Sequence, residues 1–336
     1  MRLLTQKNTL FFFFALALIL SISFALPNEV NSALKQWPLR HITFMVPYPE
    51  GGGTDTMMRG ISPAVQKELG CTVIIENRRG GNGVVGTVQH KINDPADGSV
   101  ICFAVGLFHS AGGLRSGQYV FDDFDYLGYI VKDPSALVVH VDSEYQTIYD
   151  LIDAIKRNPA KIRWGMQANA ASSVGIWIMN EQLGLNVREI PYEGGGPMRA
   201  ALIGKHIDFF AGSLGSTQMR MGEMARFLLN FDDKPHPLQP NLPLIKDVLA
   251  KYGSQAKVPD LSNVRFFFVK KGFKEKYPER YDFIVQALGQ ATNSDQSQSW
   301  AQKAKIFLDW KGPDTAEAIL RSGDQMVKDY KEKLLE

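Results

Sequence analysis

The sequence predicts an α/β protein made of two small domains with a ligand cleft between them. Three observations lead there. Short apolar, β-branched runs alternate with segments of helical periodicity, a rhythm that implies parallel strands joined by helices. The rhythm starts afresh at Ile162, in the run IRWGMQ. The length of 336 residues suits two domains better than one. A composition 45% hydrophobic and 21% charged is ordinary for a globular chain, and no internal repeat competes with this reading.

The N-terminus reads as a secretory signal peptide over residues 1–25. Arg2 and Lys7 precede an entirely apolar run, Leu10 to Leu20, and Ser23-Phe24-Ala25 puts small residues at a cut after Ala25. The rival reading is a membrane anchor, for which the stretch up to Leu26 is borderline in length. Export would carry the mature chain across the cytoplasmic membrane. No cysteine sits at the cut, so no lipid anchor is expected.

HITFMVPY is the first strand and EGGGTD the turn after it. Thr54 to Leu69 is a helix, with Met57, Met58, Ile61, Val65 and Leu69 on one face and Gly70 closing it. CTVIIE is the second strand, RRGGNGVVG a glycine loop leading into TVQHKIND, and SVICFAVG the third strand. SALVVHV, a strand from Ser135, precedes the helix YQTIYDLIDAIKRNP. After IRWGMQ come the loop ANAASSVG and a helix carrying Ile176, Ile178, Met179 and Leu183. VREIPY, EGGGPMRAALIG and HIDFFAG follow as strand, helix and strand. ARFLLN is another strand, DDKPHPLQPNLP a loop and RFFFVKK a strand. The last helix is expected from Thr315 to Leu335, with Gly323 weakening its middle. Domain 1 is then 37–138 plus 267–336, and domain 2 is 139–266. The chain would cross near Val138 to Val141 and again near Phe266 to Lys270. Such proteins place ligands at the carboxyl ends of strands, in the cleft.

Loss of residues 1–25 would remove two of the 37 basic residues and none of the 35 acidic ones. The balanced mature chain does not suggest a nucleic-acid surface. An anionic ligand would have to be held by local dipoles and hydrogen bonds. Cys71 and Cys102 lie in the second and third strands. With the first strand between them they would be too far apart to bond, so two buried thiols are expected. Asp122, Asp123 and Asp125 read as a solvated loop. Trp164 and Trp177 read as core residues, with a cleft wall as the lesser reading for Trp177.

Four glycine loops stand out: EGGGTD (50–55), RRGGNGVVG (78–86), ANAASSVG (168–175) and YEGGGPM (192–198). The first and third each follow a strand and open a helix. Such a turn offers unpaired N–H groups and the positive end of the helix dipole, and glycine lets an anion approach closely. Ser172 and Ser173 add hydroxyls. Each loop alone is an ordinary tight turn; two in matching places suggest an anion clamp. Gly81, Gly83 and Gly86 spell GxGxxG, but after the second strand and without the acid of a dinucleotide site. No P-loop lysine, metal-ligand spacing or nucleophile elbow occurs, so neither a cofactor nor a metal is expected.

These motifs together resemble a family. ITFMVPYPEGGGTDTMMR, VIIENRRGGNGVVG and NDPADGSV, then SSVG before a helix, IPYEGGGPMRAALIGKHIDFF and LQPNLPL, resemble the Bug-type solute receptors of tripartite tricarboxylate transporters over about residues 40 to 310. The resemblance implies a two-domain periplasmic-binding-protein fold, type II-like, with a hinge and an interdomain cleft. It implies a non-enzymatic, monomeric receptor that closes on a small organic carboxylate and delivers it to membrane permease subunits. A sensory receptor for a membrane kinase remains the alternative, and an enzyme using the same cleft is the remote one. In the family, amides and hydroxyls of the first and third loops hold a carboxylate. Carried over, that points to Gly51, Gly52, Gly53 and Thr54, and to Asn169, Ser172 and Ser173. Asp55 matches the family's acid, read here as orienting the loop. The chain departs from the pattern at Glu50, where a small residue is common, at Glu193, where a lysine is common, and at Gly212, where many members carry Asp. The changes either favour a ligand with an amino group or ring nitrogen, or face solvent.

Overall fold

A computed structural model describes residues 40–167, 170–192 and 194–332. The signal-peptide stretch, Asn169, Glu193 and the expected end of the last helix at Leu335 lie outside the described residues. No described helix is long and apolar enough to cross a membrane.

The chain begins with β1 (His41–Val46), α1 (Gly53–Leu69), β2 (Thr72–Asn77), α2 (Val84–Asn93), β3 (Val100–Val105) and α3 (Gly106–Ser116). β4 (Phe124–Asp133) and β5 (Ser135–His140) follow with Pro134 between them. The second half runs through α4 (Ile148–Arg157), β6 (Arg163–Gln167), α5 (Ala171–Leu183), β7 (Arg188–Tyr192), α6 (Gly195–Ile203), β8 (Phe209–Ser213), α7 (Leu214–Met221), β9 (Ala225–Asn230) and α8 (Ile245–Lys251). β10 (Asn263–Lys270) leads to α9 (Phe273–Lys276), α10 (Pro278–Asn293), α11 (Asp295–Ala304) and α12 (Pro313–Asp329).

The strands form two five-stranded sheets, ordered β2-β1-β3-β10-β4 and β7-β6-β8-β5-β9. Each contains three parallel strands followed by two antiparallel pairings. The parallel trios are the strands expected from the alternating rhythm. The centre of the first sheet is buried on both faces, and β10 shows why. Phe267 and Val269 enter one apolar cluster with Phe44, Met57 and Ile284; Phe266 and Phe268 enter another with Tyr119 and Phe124. Neighbouring side chains of a strand point to opposite faces. The Phe267 ring stacks on Phe103 at 4.5 Å and meets Phe44 edge-on at 5.9 Å.

The chain crosses between the sheets at Pro134 and again ahead of Asn263. Both crossings fall a few residues before those expected, because SALVVH lies wholly within the second sheet and RFFFVK wholly within the first. A second difference is β4. Of the acidic run read as a solvated loop, Asp122 and Asp123 lie in a short exposed turn, but Asp125 falls in a ten-residue strand and is buried. Its carboxylate accepts the Lys274 N–H at 3.0 Å and pairs with Lys271 at 3.0 Å. A buried carboxylate is tolerated where charged or N–H partners meet it. α12 is continuous through Gly323. It packs Leu320 against the first half's aromatic cluster, and Met326 and Val327 with the second half's core. Strand order puts β1 between Cys71, just ahead of β2, and Cys102; both are free thiols, but only Cys102 is buried as expected, and Cys71 is partly exposed.

Candidate ligand cleft

The ends of β1, β2 and β3 face the ends of β6, β7 and β8 across a cleft of about 1030 Å³. All are carboxyl ends of parallel strands, the place where α/β sheets leave unpaired helix N-termini.

The first wall is the turn Pro49–Gly53 and the start of α1. Gly51 has φ +71, which a side chain rarely tolerates. Gly52 caps the helix without any side-chain acceptor, so no capping side chain takes up the first-turn N–H groups. Asp55 does not face the cleft. It is 1% exposed, and its carboxylate accepts from Gly51 N at 2.8 Å, Arg59 Nε at 3.0 Å and Asn77 Nδ2 at 3.0 Å. Burial alone would raise its pKa; the bonds from Arg59, Gly51 and Asn77 outweigh that and hold the carboxyl below its usual range. Its role is to shape the loop. Gly53 answers to a different neighbour: a Cβ there would lie 3.0 Å from Ser216 Oγ in the opposite half. Glu50 is exposed at the rim.

The opposing wall comes from the second sheet. Ala170 caps α5 without a side-chain bond, and Ser172 lines the cleft. Ser173 does not reach it. Its hydroxyl donates to Gln167 O at 2.9 Å and is spent on the turn. Gly212 lines the cleft at the end of β8, and a Cβ there would lie 3.1 Å from the Phe210 ring. Trp177 lies outside the cleft lining. It packs on the second core and donates to Glu189 at 3.3 Å.

The second and fourth glycine loops also contribute, through Gly80–Gly83 and Gly194–Gly196. The GxGxxG pattern has a structural cause at its last position. A Cβ on Gly86 would lie 2.4 Å from Arg78 O.

Sequence reasoning missed the arginines. Arg79, Arg115, Arg199, Arg220 and Arg265 all line the cleft, against one described acid, Glu50. They come from separate segments, so overall neutrality hid them. Arg265 alone left a signal, as a cation inside the apolar strand RFFFVKK. It is 4% exposed and sits between the halves. Its Nη1 meets Asp133 Oδ2 at 3.4 Å, and its Nη2 donates to Ser216 Oγ at 2.8 Å. Burial pulls its pKa down, with Asp133 opposing. Asp133 in turn accepts from the Ser213 hydroxyl and from Gly215 N at 2.8 Å, anchoring the start of α7. Arg220, on α7, reaches across to Gly51 O at 2.5 Å and Thr56 Oγ1 at 2.6 Å.

Residues 57–259 match the tripartite tricarboxylate transporter family receptor, TctC. The chain belongs to that family. Among curated relatives, a UPF0065 protein of Agrobacterium vitis is 30% identical over 181 residues, 53% of this chain and 52% of its own length. BugT of Bordetella pertussis is 29% identical over 173 residues, 50% of this chain and 53% of its own. The chain thus spans about half the length of these receptor-family relatives. Solved structures share the fold over nearly their whole length. The periplasmic binding protein BugD has a TM-score of 0.73 at 24% identity, covering 89% of this chain and 99% of BugD. MatC of Rhodopseudomonas palustris, bound to malate, has 0.67 at 18%, covering 89% and 99%. An R. palustris protein with adipate has 0.70 at 20%, covering 89% and 98%. The two-domain periplasmic-binding-protein fold expected for the receptor family is the fold present.

Proposed function

We propose that the protein is an exported receptor that captures a small organic carboxylate between its two halves and presents it to membrane permease subunits. The observation that carries this reading is the cleft itself. The uncapped start of α1 faces Ser172 across a space lined by five arginines and one described acid. Amides at a helix start and guanidinium groups both favour a carboxylate, through charge-assisted hydrogen bonds. The halves act as domains joined at Pro134 and ahead of Asn263, the segments through which the chain passes between sheets. Closure of one half onto the other excludes water and is the signal a permease reads. Family membership supports the permease, the periplasmic location and the lack of catalysis; a single chain suffices for the site, which supports a monomer.

The test is a thermal-denaturation screen with mono-, di- and tricarboxylates. At least one acid should raise the melting temperature in a concentration-dependent way, as expected of a ligand that binds only the folded state. No shift with any acid would overturn the reading, as would turnover of a bound acid.

A further inference from the structure

We infer that Arg265 links ligand capture to closure: its guanidinium takes the carboxylate that docks at the start of α1 and, through Ser216, draws α7 of the second half onto it. The inference rests on the carboxylate-receptor reading above and deepens it by naming the residue that makes closure depend on the ligand's charge.

Of the five arginines that line the cleft, Arg265 alone is buried. Water compensates the exposed ones. A guanidinium removed from water needs partners for its charge and for its five N–H donors. Arg265 is short of both. Its Nε has no acceptor among the described residues. The carboxylate it faces, Asp133, lies 3.4 Å from Nη1, longer than the roughly 2.7–2.9 Å of a charge-assisted bond. That carboxylate is also shared, since it accepts from the Ser213 hydroxyl and from Gly215 N at 2.8 Å.

The position of Arg265 shows what would complete it. Asp133 ends β4 just before the first crossing, and Arg265 is the third residue of β10, just after the second. A Cβ on Gly53, the first residue of α1, would lie 3.7 Å from Arg265 Nη2 and 3.0 Å from Ser216 Oγ. The same Nη2 donates to Ser216 Oγ at 2.8 Å. The guanidinium thus stands where the start of α1 meets the start of α7. Bringing the empty halves together strips water from a cation that Asp133 compensates poorly, which disfavours closure. A carboxylate on the α1 amides supplies the missing anion, and the Arg265–Ser216 bond then joins the occupied first half to the second. The ligand binds the closed arrangement better than the open one, which is what shifts the equilibrium. One carboxylate is enough for this step.

The experiment uses the whole chain lacking residues 1–25 and the organic acid that most raises its melting temperature. Calorimetry reads affinity, small-angle scattering reads compaction, and unliganded melting curves check that each variant is folded. The double variant Asp133→Asn, Arg265→Gln strands no charge; its acid affinity should fall by about 10- to 100-fold. Asp133→Asn alone keeps the guanidinium and should bind the acid at least as tightly as wild type, because the cation then depends wholly on the ligand. Arg265→Lys keeps the charge without the fork and should lie between wild type and the double variant. Ser216→Ala removes a neutral acceptor; its affinity should fall by no more than about tenfold, with less compaction than wild type at saturating acid. Wild-type affinity in the folded double variant, or affinity in Asp133→Asn no better than in the double variant, would overturn the role of Arg265 while leaving the carboxylate receptor standing. Full compaction in Ser216→Ala would overturn the coupling to the second half. Failure of every acid to bind the wild type would overturn the receptor reading as well.

Discussion

The Asp55 carboxylate turns back on the loop that precedes it and accepts the Gly51 N–H at 2.8 Å. The acid that follows the three glycines therefore acts as a clasp, and the amides left open are those just after Gly52. A pre-shaped loop binds without a further ordering cost.

Replacing Asp55 with Ala should free Gly51 and leave Asn77 and Arg59 without their shared partner. The expected cost is about 2 kcal/mol of stability, in the range for bonds to a charged group, together with weaker ligand binding. The pH dependence has a definite sign. The folded carboxyl pKa is lowered, so its contribution is present above the unfolded value, about 3.9, and disappears as pH falls through the folded one. Denaturant titrations of both proteins over the acid range check this; identical slopes would refute the clasp.

Gly53 and Ser216 approach each other across the cleft, where a Cβ on Gly53 would lie 3.0 Å from Ser216 Oγ. Gly53→Val should hold the halves apart. Ligand binding should be lost while the unliganded melting temperature changes little, and small-angle scattering should show no compaction on adding ligand. Compaction equal to wild type would mean that this contact does not limit closure.

Asp133 and Arg265 form a buried pair, 3% and 5% exposed at their side chains and 3.4 Å apart. Removing one member of such a pair leaves an uncompensated charge at a cost of about 3–5 kcal/mol. Asp133→Ala should approach that loss in urea denaturation, because it also releases the start of α7. The double variant Asp133→Ala, Arg265→Met should be less damaged than the sum of its single changes; strict additivity would show that the pair is not coupled.

His109 is buried among Tyr119, Phe124, Phe266 and Phe268, and neither ring nitrogen has a partner among the described residues. Burial pulls its pKa down to about 3, with nearby His90 adding to the effect and Asp123 opposing it. Folding therefore favours the neutral ring. Stability is fully present above the unfolded pKa of about 6.5 and falls as pH drops below it, by up to about 1.4 kcal/mol per pH unit for one proton. Melting temperatures between pH 7 and 4 should show a steeper decline in wild type than in His109→Phe. Equal declines would assign the acid sensitivity elsewhere.

Much of this architecture was legible because its signals are local. The helix after EGGGTD begins at Gly53 and ends at Gly70, whose left-handed conformation closes it, as the pattern indicated. β4 was not legible, since what permits Asp125 to be buried is the N–H of Lys274, 149 positions away. Periodicity reports a residue's own surroundings, not partners that distant. The same holds for the cleft. Gly51 to Thr54 and Ser172 could be read from loops that open helices. Ser173 could not be told from Ser172, because only the fold decides which hydroxyl bonds Gln167. The arginines converge from five segments, and a balanced composition gives no hint that they share a cleft.

The central claim is that a carboxylate docks on the amides that open α1. The direct measurement is a titration of nitrogen-15-labelled protein with the organic acid that most raises its melting temperature, following the backbone amide signals of Gly51 to Thr54 and of Ser172. The account predicts that the Gly53 and Thr54 amide protons move downfield and saturate, with Ser172 moving alongside. Saturable binding that leaves Gly53 and Thr54 unmoved would contradict it.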